Sequence, residues 1–72
     1  MDHIKHIEEL EARARHLGLS ARQLYLRAGV PHATMSRWRT GKSSPSLVGF
    51  REAIGKINHV LAEVATERAV AA

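Results

Sequence analysis

Apolar side chains at helical spacing mark the start of the chain. They recur every three or four residues, with charged side chains between them, at Ile4, Ile7, Leu10, Ala14 and Leu17. This period places the apolar residues on one face of an α-helix. Asp2 favours the start of such a helix, and Gly18 suits its C-terminal end. We therefore predict a first helix over residues 2–17.

A second, shorter helix is indicated by its capping residues. Ser20 and Gln23 have the spacing of a capping box, in which the Ser hydroxyl accepts from the Gln amide and the Gln side chain binds back to the Ser amide. Gly29 suits the residue that ends this helix. The predicted helix covers residues 21–28, which is too short to be stable without tertiary packing.

A third helix follows after the apolar turn residue Val30. Pro31 suits the first helical position because its φ is already fixed. Gly41 suits the left-handed residue that follows the helix. We predict a helix over residues 31–40. Two apolar residues share its inward face, Met35 and Trp38.

The longest apolar pattern occupies the last third of the chain. Its residues are spaced by 3, 4, 3, 4 and 3 positions, at Leu47, Phe50, Ile54, Ile57, Leu61 and Val64. We expect Ser44 to cap a helix that Pro45 opens, and the unbroken heptad spacing predicts one long helix over residues 46–67. A break near Gly55 or Asn58 is the alternative, because glycine weakens a helix.

The two halves of this long helix have different amounts of chain to pack against. We expect the first half, from Leu47 to Ile57, to close the core. Leu61 and Val64 pack either against the first helix or against a second copy of the chain, and we favour the second copy. Residues 68–72 are expected to fray.

Length and composition limit the class of protein. Seventy-two residues make one domain, residues 1–72, which we expect to be an all-α, compact helix-turn-helix domain of four to five helices with a long C-terminal helix. The absence of cysteine excludes disulfides, thiolate metal sites and a cysteine nucleophile. The sequence shows neither a signal peptide nor an apolar run long enough for a membrane span, so we expect a cytoplasmic protein.

The charge is concentrated in the middle of the chain. Residues 13–56 hold nine Lys and Arg side chains against one acid, a net charge of +8, whereas residues 1–12 carry −3 and residues 57–72 carry −1. A basic centre between acidic ends is typical of a protein that binds a polyanion.

The basic centre also contains a recognisable pattern. Its parts are Leu24 five residues before Gly29-Val30, then Met35-Ser36-Arg37-Trp38, then Gly41-Lys42 and Pro45-Ser46-Leu47. Together they resemble the lambda-repressor-like, Cro/C1-type (XRE) helix-turn-helix family, here over residues 19–57 with the motif at about 20–41. The small size is similar to that of phage and prophage regulators in this family.

Three positions depart from the family pattern. Ala21 stands where the family favours Gln, Tyr25 where it favours a small residue, and Pro31 where it favours a hydroxyl residue. The family's small residue lies where the two motif helices approach closely. With Tyr25 there, either the helices sit slightly apart or the ring lies toward the surface.

The resemblance implies two sets of DNA-contacting residues. The outer face of the third helix reads bases, which corresponds here to His32, Ala33, Ser36 and Arg37. Arg37 is the strongest candidate, because a guanidinium binds guanine O6 and N7 in a bidentate manner. The start of the second helix and the residues from the end of the third helix onward suit phosphate contacts: Arg22, Gln23, Arg39, Thr40, Lys42 and Ser43.

The sequence therefore predicts a DNA-binding transcriptional regulator. We expect a repressor that acts as a homodimer on a palindromic operator of double-stranded DNA, with no cofactor, metal or small-molecule ligand. The alternative is an antitoxin or other protein-binding module with the same fold. We do not expect an enzyme, because no acid, base and nucleophile converge. His3 and His6 have the spacing of a helical metal site but no third ligand, so we expect both to be exposed.

Overall fold

The computed structural model describes residues 3–71, and these residues form helices without any strand. The helices are α1 (His3–His16), α2 (Ala21–Ala28), α3 (His32–Arg39) and α4 (Leu47–Ala71). The all-α prediction with a long C-terminal helix is thereby confirmed. The proposed effect of Asp2 on the start of α1 lies outside the described residues. None of the helices between residues 3 and 71 combines the length and the hydropathy that a membrane span requires.

All four helices contribute to a single core. Its largest fully buried side chains are Tyr25, Ile7, Leu24, Met35, Ile57 and Leu61. Val30, in the turn between α2 and α3, is also buried, and Trp38 is partly buried against this cluster. The inward positions predicted for Met35 and Trp38 are confirmed, so the apolar face of α3 packs against the core.

The predicted caps around α2 and α3 form as the sequence indicates. The Gln23 amide donates to Ser20 Oγ at 3.1 Å, and the Ser20 amide donates to Gln23 Oε1 at 2.8 Å. Gly29 and Gly41 adopt left-handed φ values of 71° and 78°, which L side chains rarely adopt. At each glycine the next amide donates back across the helix end, so both helices close on a Schellman motif.

Two predicted helix starts are wrong. Pro31 is extended, with φ −61° and ψ 123°, so it is the N-cap of α3 and not its first helical residue. Ser46, not Ser44, caps α4, because the Gly49 amide donates to Ser46 Oγ at 3.0 Å. A Cβ at Gly49 would lie 2.9 Å from the same oxygen, so glycine leaves room for this cap. Pro45 therefore precedes α4 and does not open it.

The helix α4 runs without a break past Gly55 and Asn58. It continues to Ala71, beyond the end that the sequence predicts at residue 67. Strong helix formers fill this end, and Arg27 of α2 contacts Glu67 at 3.2 Å.

Burial along α4 also corrects the prediction about its two halves. Leu47 is 56% exposed, so it does not close the core as predicted, whereas Phe50 and Ile57 are buried. Leu61 and Val64 are buried within the same chain. The preference for a second copy of the chain as their packing partner is therefore wrong.

Two of the three histidines of α1 are more enclosed than predicted. His3 and His6 are half-buried, and both approach the Phe50 ring edge-on, with ring centroids 6.3 Å and 5.7 Å away. His3 Nε2 donates to the Trp38 carbonyl at 3.1 Å, which satisfies an acceptor in the last turn of α3. Within residues 3–71, no three His, Cys, Asp or Glu side chains are grouped to hold a metal.

The cap of α4 gives a direct stability prediction. Ser46→Ala removes the acceptor of the Gly49 amide, and we expect it to lower the free energy of unfolding by about 1 kcal/mol in urea denaturation. Ser44→Ala is the matched control, since Ser44 is exposed and makes no cap, and we expect a change within about 0.5 kcal/mol. A larger loss for Ser44→Ala would contradict this assignment of the cap.

Candidate nucleic-acid interface

The helix α3 presents one face to solvent because its other face is anchored. Met35 is fully buried, and the turn residue Val30 is buried beside it. The turn from Gly29 to Pro31 is short, and α2 and α3 are in contact across it. The outward residues of α3 are thus carried on a helix whose position is set by the core.

The four predicted base-reading residues lie together on this outward face. His32, Ala33 and Arg37 are exposed and Ser36 is half-buried. Their spacing of one, three and one places them on adjacent rows of the helix surface. Arg37 Nη2 donates to Thr34 Oγ1 at 3.3 Å, one turn back along the helix. A single surface therefore carries a guanidinium, an imidazole, a methyl and a hydroxyl group.

The predicted phosphate-contacting residues fall into two groups. Arg22 and Gln23 lie in the first turn of α2, both exposed, although Gln23 uses its Oε1 in the capping box. Thr40, Lys42 and Ser43 follow the end of α3, where Thr40 Oγ1 donates to the Ser36 carbonyl at 2.9 Å. Lys42 is exposed and Ser43 is half-buried.

The outward surface has unneutralised positive charge. Arg22, Arg37 and Lys42 make no ion pair with any carboxylate in residues 3–71. Arg27 differs from these three residues because it is paired with Glu67 of α4. Cations without a local carboxylate can pair with the phosphates of a polyanion and release the counterions held there. Such binding is strongest at low salt.

Arg39 differs from the other predicted phosphate contacts. Its Nε lies 3.7 Å from Glu11 Oε2 and is buried without a hydrogen-bond partner among the described residues. The side chain as a whole is still 39% exposed. Arg39 is therefore turned inward at one edge, which the sequence did not indicate.

The partner of Arg39 is part of a buried polar cluster. Glu11 of α1 is 6% exposed, and the Tyr25 hydroxyl donates to its Oε2 at 2.5 Å. Tyr25 is 1% exposed, which excludes the alternative in which its ring lies toward the surface. The cluster of Glu11, Tyr25 and Arg39 joins α1, α2 and α3 at one carboxylate, and we call it the Glu11 cluster.

Sequence reasoning missed Glu11 because it was counted only as one acid of the N-terminal segment. Its position held a clue. Glu11 lies four residues after Ile7 and three before Ala14, both fully buried, and so falls on the apolar face of α1. A carboxylate on such a face needs a donor, and the large polar Tyr25 on the next helix supplies one.

Burial is the main reason that the pKa of the Tyr25 phenol is raised well above its ordinary value of 10.0. The hydrogen bond to Glu11 and the negative charge of Glu11 raise this pKa further, while the Arg39 charge lowers it. Burial, the hydrogen bond to Glu11 and the charge of Glu11 thus all favour the protonated phenol. The hydroxyl therefore stays a hydrogen-bond donor across the neutral pH range.

Comparisons with known proteins find no similar protein: no family model matches the chain, and neither the curated proteins nor the solved structures contain a significant match.

The single tyrosine of the chain allows a test of the Glu11 cluster. The unfolded phenol ionises near pH 10.0, but the folded one resists ionisation, so the stabilisation is fully present below pH 10.0 and is lost as the pH rises above it. We expect the phenolate difference absorbance to appear together with the loss of helical circular dichroism. Phenolate absorbance near pH 10.0 in a chain that keeps its helical signal would contradict the buried position of the hydroxyl.

Proposed function

We propose that this chain is a sequence-specific double-stranded DNA-binding transcriptional regulator of the lambda-repressor-like, Cro/C1-type kind. The observation that carries the proposal is the two-sided character of α3. Met35 anchors the helix in the core, while the exposed Arg37 on the opposite face makes no ion pair within residues 3–71. An α-helix with this division fits the major groove of B-DNA, where a guanidinium can bind guanine.

The surroundings of α3 support this mode of binding. Arg22 and Lys42 flank the helix along the chain, at the start of α2 and just beyond the end of α3. Backbone contacts at both ends fix the register of a helix in the groove, whereas base contacts supply the sequence preference. His32, Ala33 and Ser36 complete the proposed reading surface, in which Ala33 contacts a thymine methyl.

The proposal includes a homodimer that represses by covering a promoter. One helix of eight residues reads few base pairs, and two copies on a palindrome double the contact. Leu47 and Val48 at the start of α4 are large apolar residues left exposed, and they offer a surface for the second copy. Such a regulator acts in the cytoplasm and needs no cofactor.

The alternative of an antitoxin or other protein-binding module gains no support from α4. A module of that kind would be indicated by an apolar C-terminal segment that folds only on a partner. In the structure, Val60, Leu61 and Val64 are buried in the core of their own chain. A stoichiometric protein partner that binds more tightly than any DNA would nevertheless favour the alternative.

A random-site selection on the purified chain tests the proposed function. We expect one preferred palindromic sequence, with half-sites about one DNA turn apart. A mobility shift at about 150 mM salt should then show preference for that sequence over random DNA. Equal affinity for all sequences would contradict the proposal.

Substitutions at Arg37 and Lys42 separate base reading from phosphate contact. Arg37→Ala should reduce discrimination at one base position by about 1–3 kcal/mol, because it removes a bidentate donor. Lys42→Ala should weaken binding to all sequences alike and lower the salt slope by about one. Binding measurements on the selected sequence and on its single-base variants decide between these roles, and the reverse pattern would show that the two assignments are exchanged.

A further inference from the structure

We infer that Glu11 is a positioning residue of the DNA interface, which holds Arg39 by its inner edge so that the outer edge of the guanidinium binds a backbone phosphate. This inference rests on the proposed function and assigns to Arg39 a different kind of contact from that of Arg22 or Lys42. It also gives the buried carboxylate of α1 a role in binding, although Glu11 itself contacts no DNA.

The geometry places one edge of Arg39 inside and leaves the rest accessible. Nε is buried 3.7 Å from Glu11 Oε2, yet the side chain is 39% exposed. The exposed area must therefore lie on other atoms of Arg39. No residue in the range 3–71 accepts a hydrogen bond from this guanidinium. Its outward N–H groups are available for a bidentate contact of the kind that arginine makes with phosphate.

The position of Arg39 relates this contact to the reading surface. Arg39 is the last residue of α3, two positions after Arg37 and three before Lys42. A phosphate held there lies at the end of the helix that we place in the groove. Since α3 has only eight residues, fixing its last turn fixes the direction of the whole helix.

The contact between Arg39 and Glu11 is not well suited to stabilising the fold. The Tyr25 hydroxyl takes the hydrogen bond to Glu11 Oε2, and the Arg39 Nε lies too far from the same oxygen to donate well. Buried ion pairs often contribute little net stability because both charges lose hydration. A held guanidinium, by contrast, loses less side-chain entropy when it binds a phosphate.

The test uses salt-dependent binding of the full chain to duplex DNA of mixed sequence, which reports backbone contacts regardless of sequence preference. Glu11→Gln keeps an acceptor for the Tyr25 hydroxyl but removes the charge that holds Arg39. We expect binding about tenfold weaker at about 50 mM salt and a salt slope lower by about one.

A second variant keeps the positive charge but loses the held geometry. Arg39→Lys has no Nε–H group to face Glu11, and we expect the same loss of affinity and of slope as for Glu11→Gln. The matched control is Arg51→Lys, at an exposed position of α4 that has no ion pair and lies outside the proposed interface, where we expect the affinity and salt slope of the wild type. The double variant of Glu11→Gln and Arg39→Lys should bind no more weakly than either single variant.

Each outcome has a definite meaning. Circular dichroism establishes that each variant is folded, and if Glu11→Gln does not fold, Arg39→Lys decides alone. Folded variants with the affinity and salt slope of the wild type would leave Glu11 with a structural role only and overturn this inference, even if the wild type selects a palindrome. A wild type that binds no duplex at about 50 mM salt would overturn both the inference and the proposed function.

Discussion

One buried carboxylate joins the three helices on which the proposed DNA interface depends. Glu11 of α1 accepts a hydrogen bond from Tyr25 of α2 and faces the Nε of Arg39 at the end of α3. Removal of this carboxylate would leave the phenol buried without a hydrogen-bond partner and the buried edge of the guanidinium without a nearby negative charge, which costs more than the contacts contribute when formed. The Glu11 cluster therefore constrains how α3 lies on the core, and with it the direction of the outward residues.

This constraint also explains how a large polar ring is buried where α2 meets α3. Tyr25 is 1% exposed and lies with its ring centroid 5.8 Å from that of His32. A buried phenol needs a hydrogen-bond partner, and Glu11 supplies the acceptor that allows Tyr25 to be buried.

The helices could be predicted from the sequence because apolar spacing and the caps at Ser20, Gly29 and Gly41 are local patterns. The choice between Ser44 and Ser46 as the cap of α4 could not, since it depends on which hydroxyl meets the Gly49 amide. Burial of Leu61 and Val64 was likewise a tertiary outcome. At the candidate interface, the outward face of α3 followed from helical spacing, but the inward edge of Arg39 required the position of Glu11, which local patterns do not specify.

We propose that α3 is the surface that meets DNA. Amide chemical shifts of the labelled chain, followed as a selected duplex is added, can locate that surface. We expect the largest shifts at His32, Ser36 and Arg37, smaller shifts at the first turn of α2 and at Lys42, and little change on the exposed face of α4. Shifts concentrated on α4, with the amides of α3 unchanged, would contradict the claim.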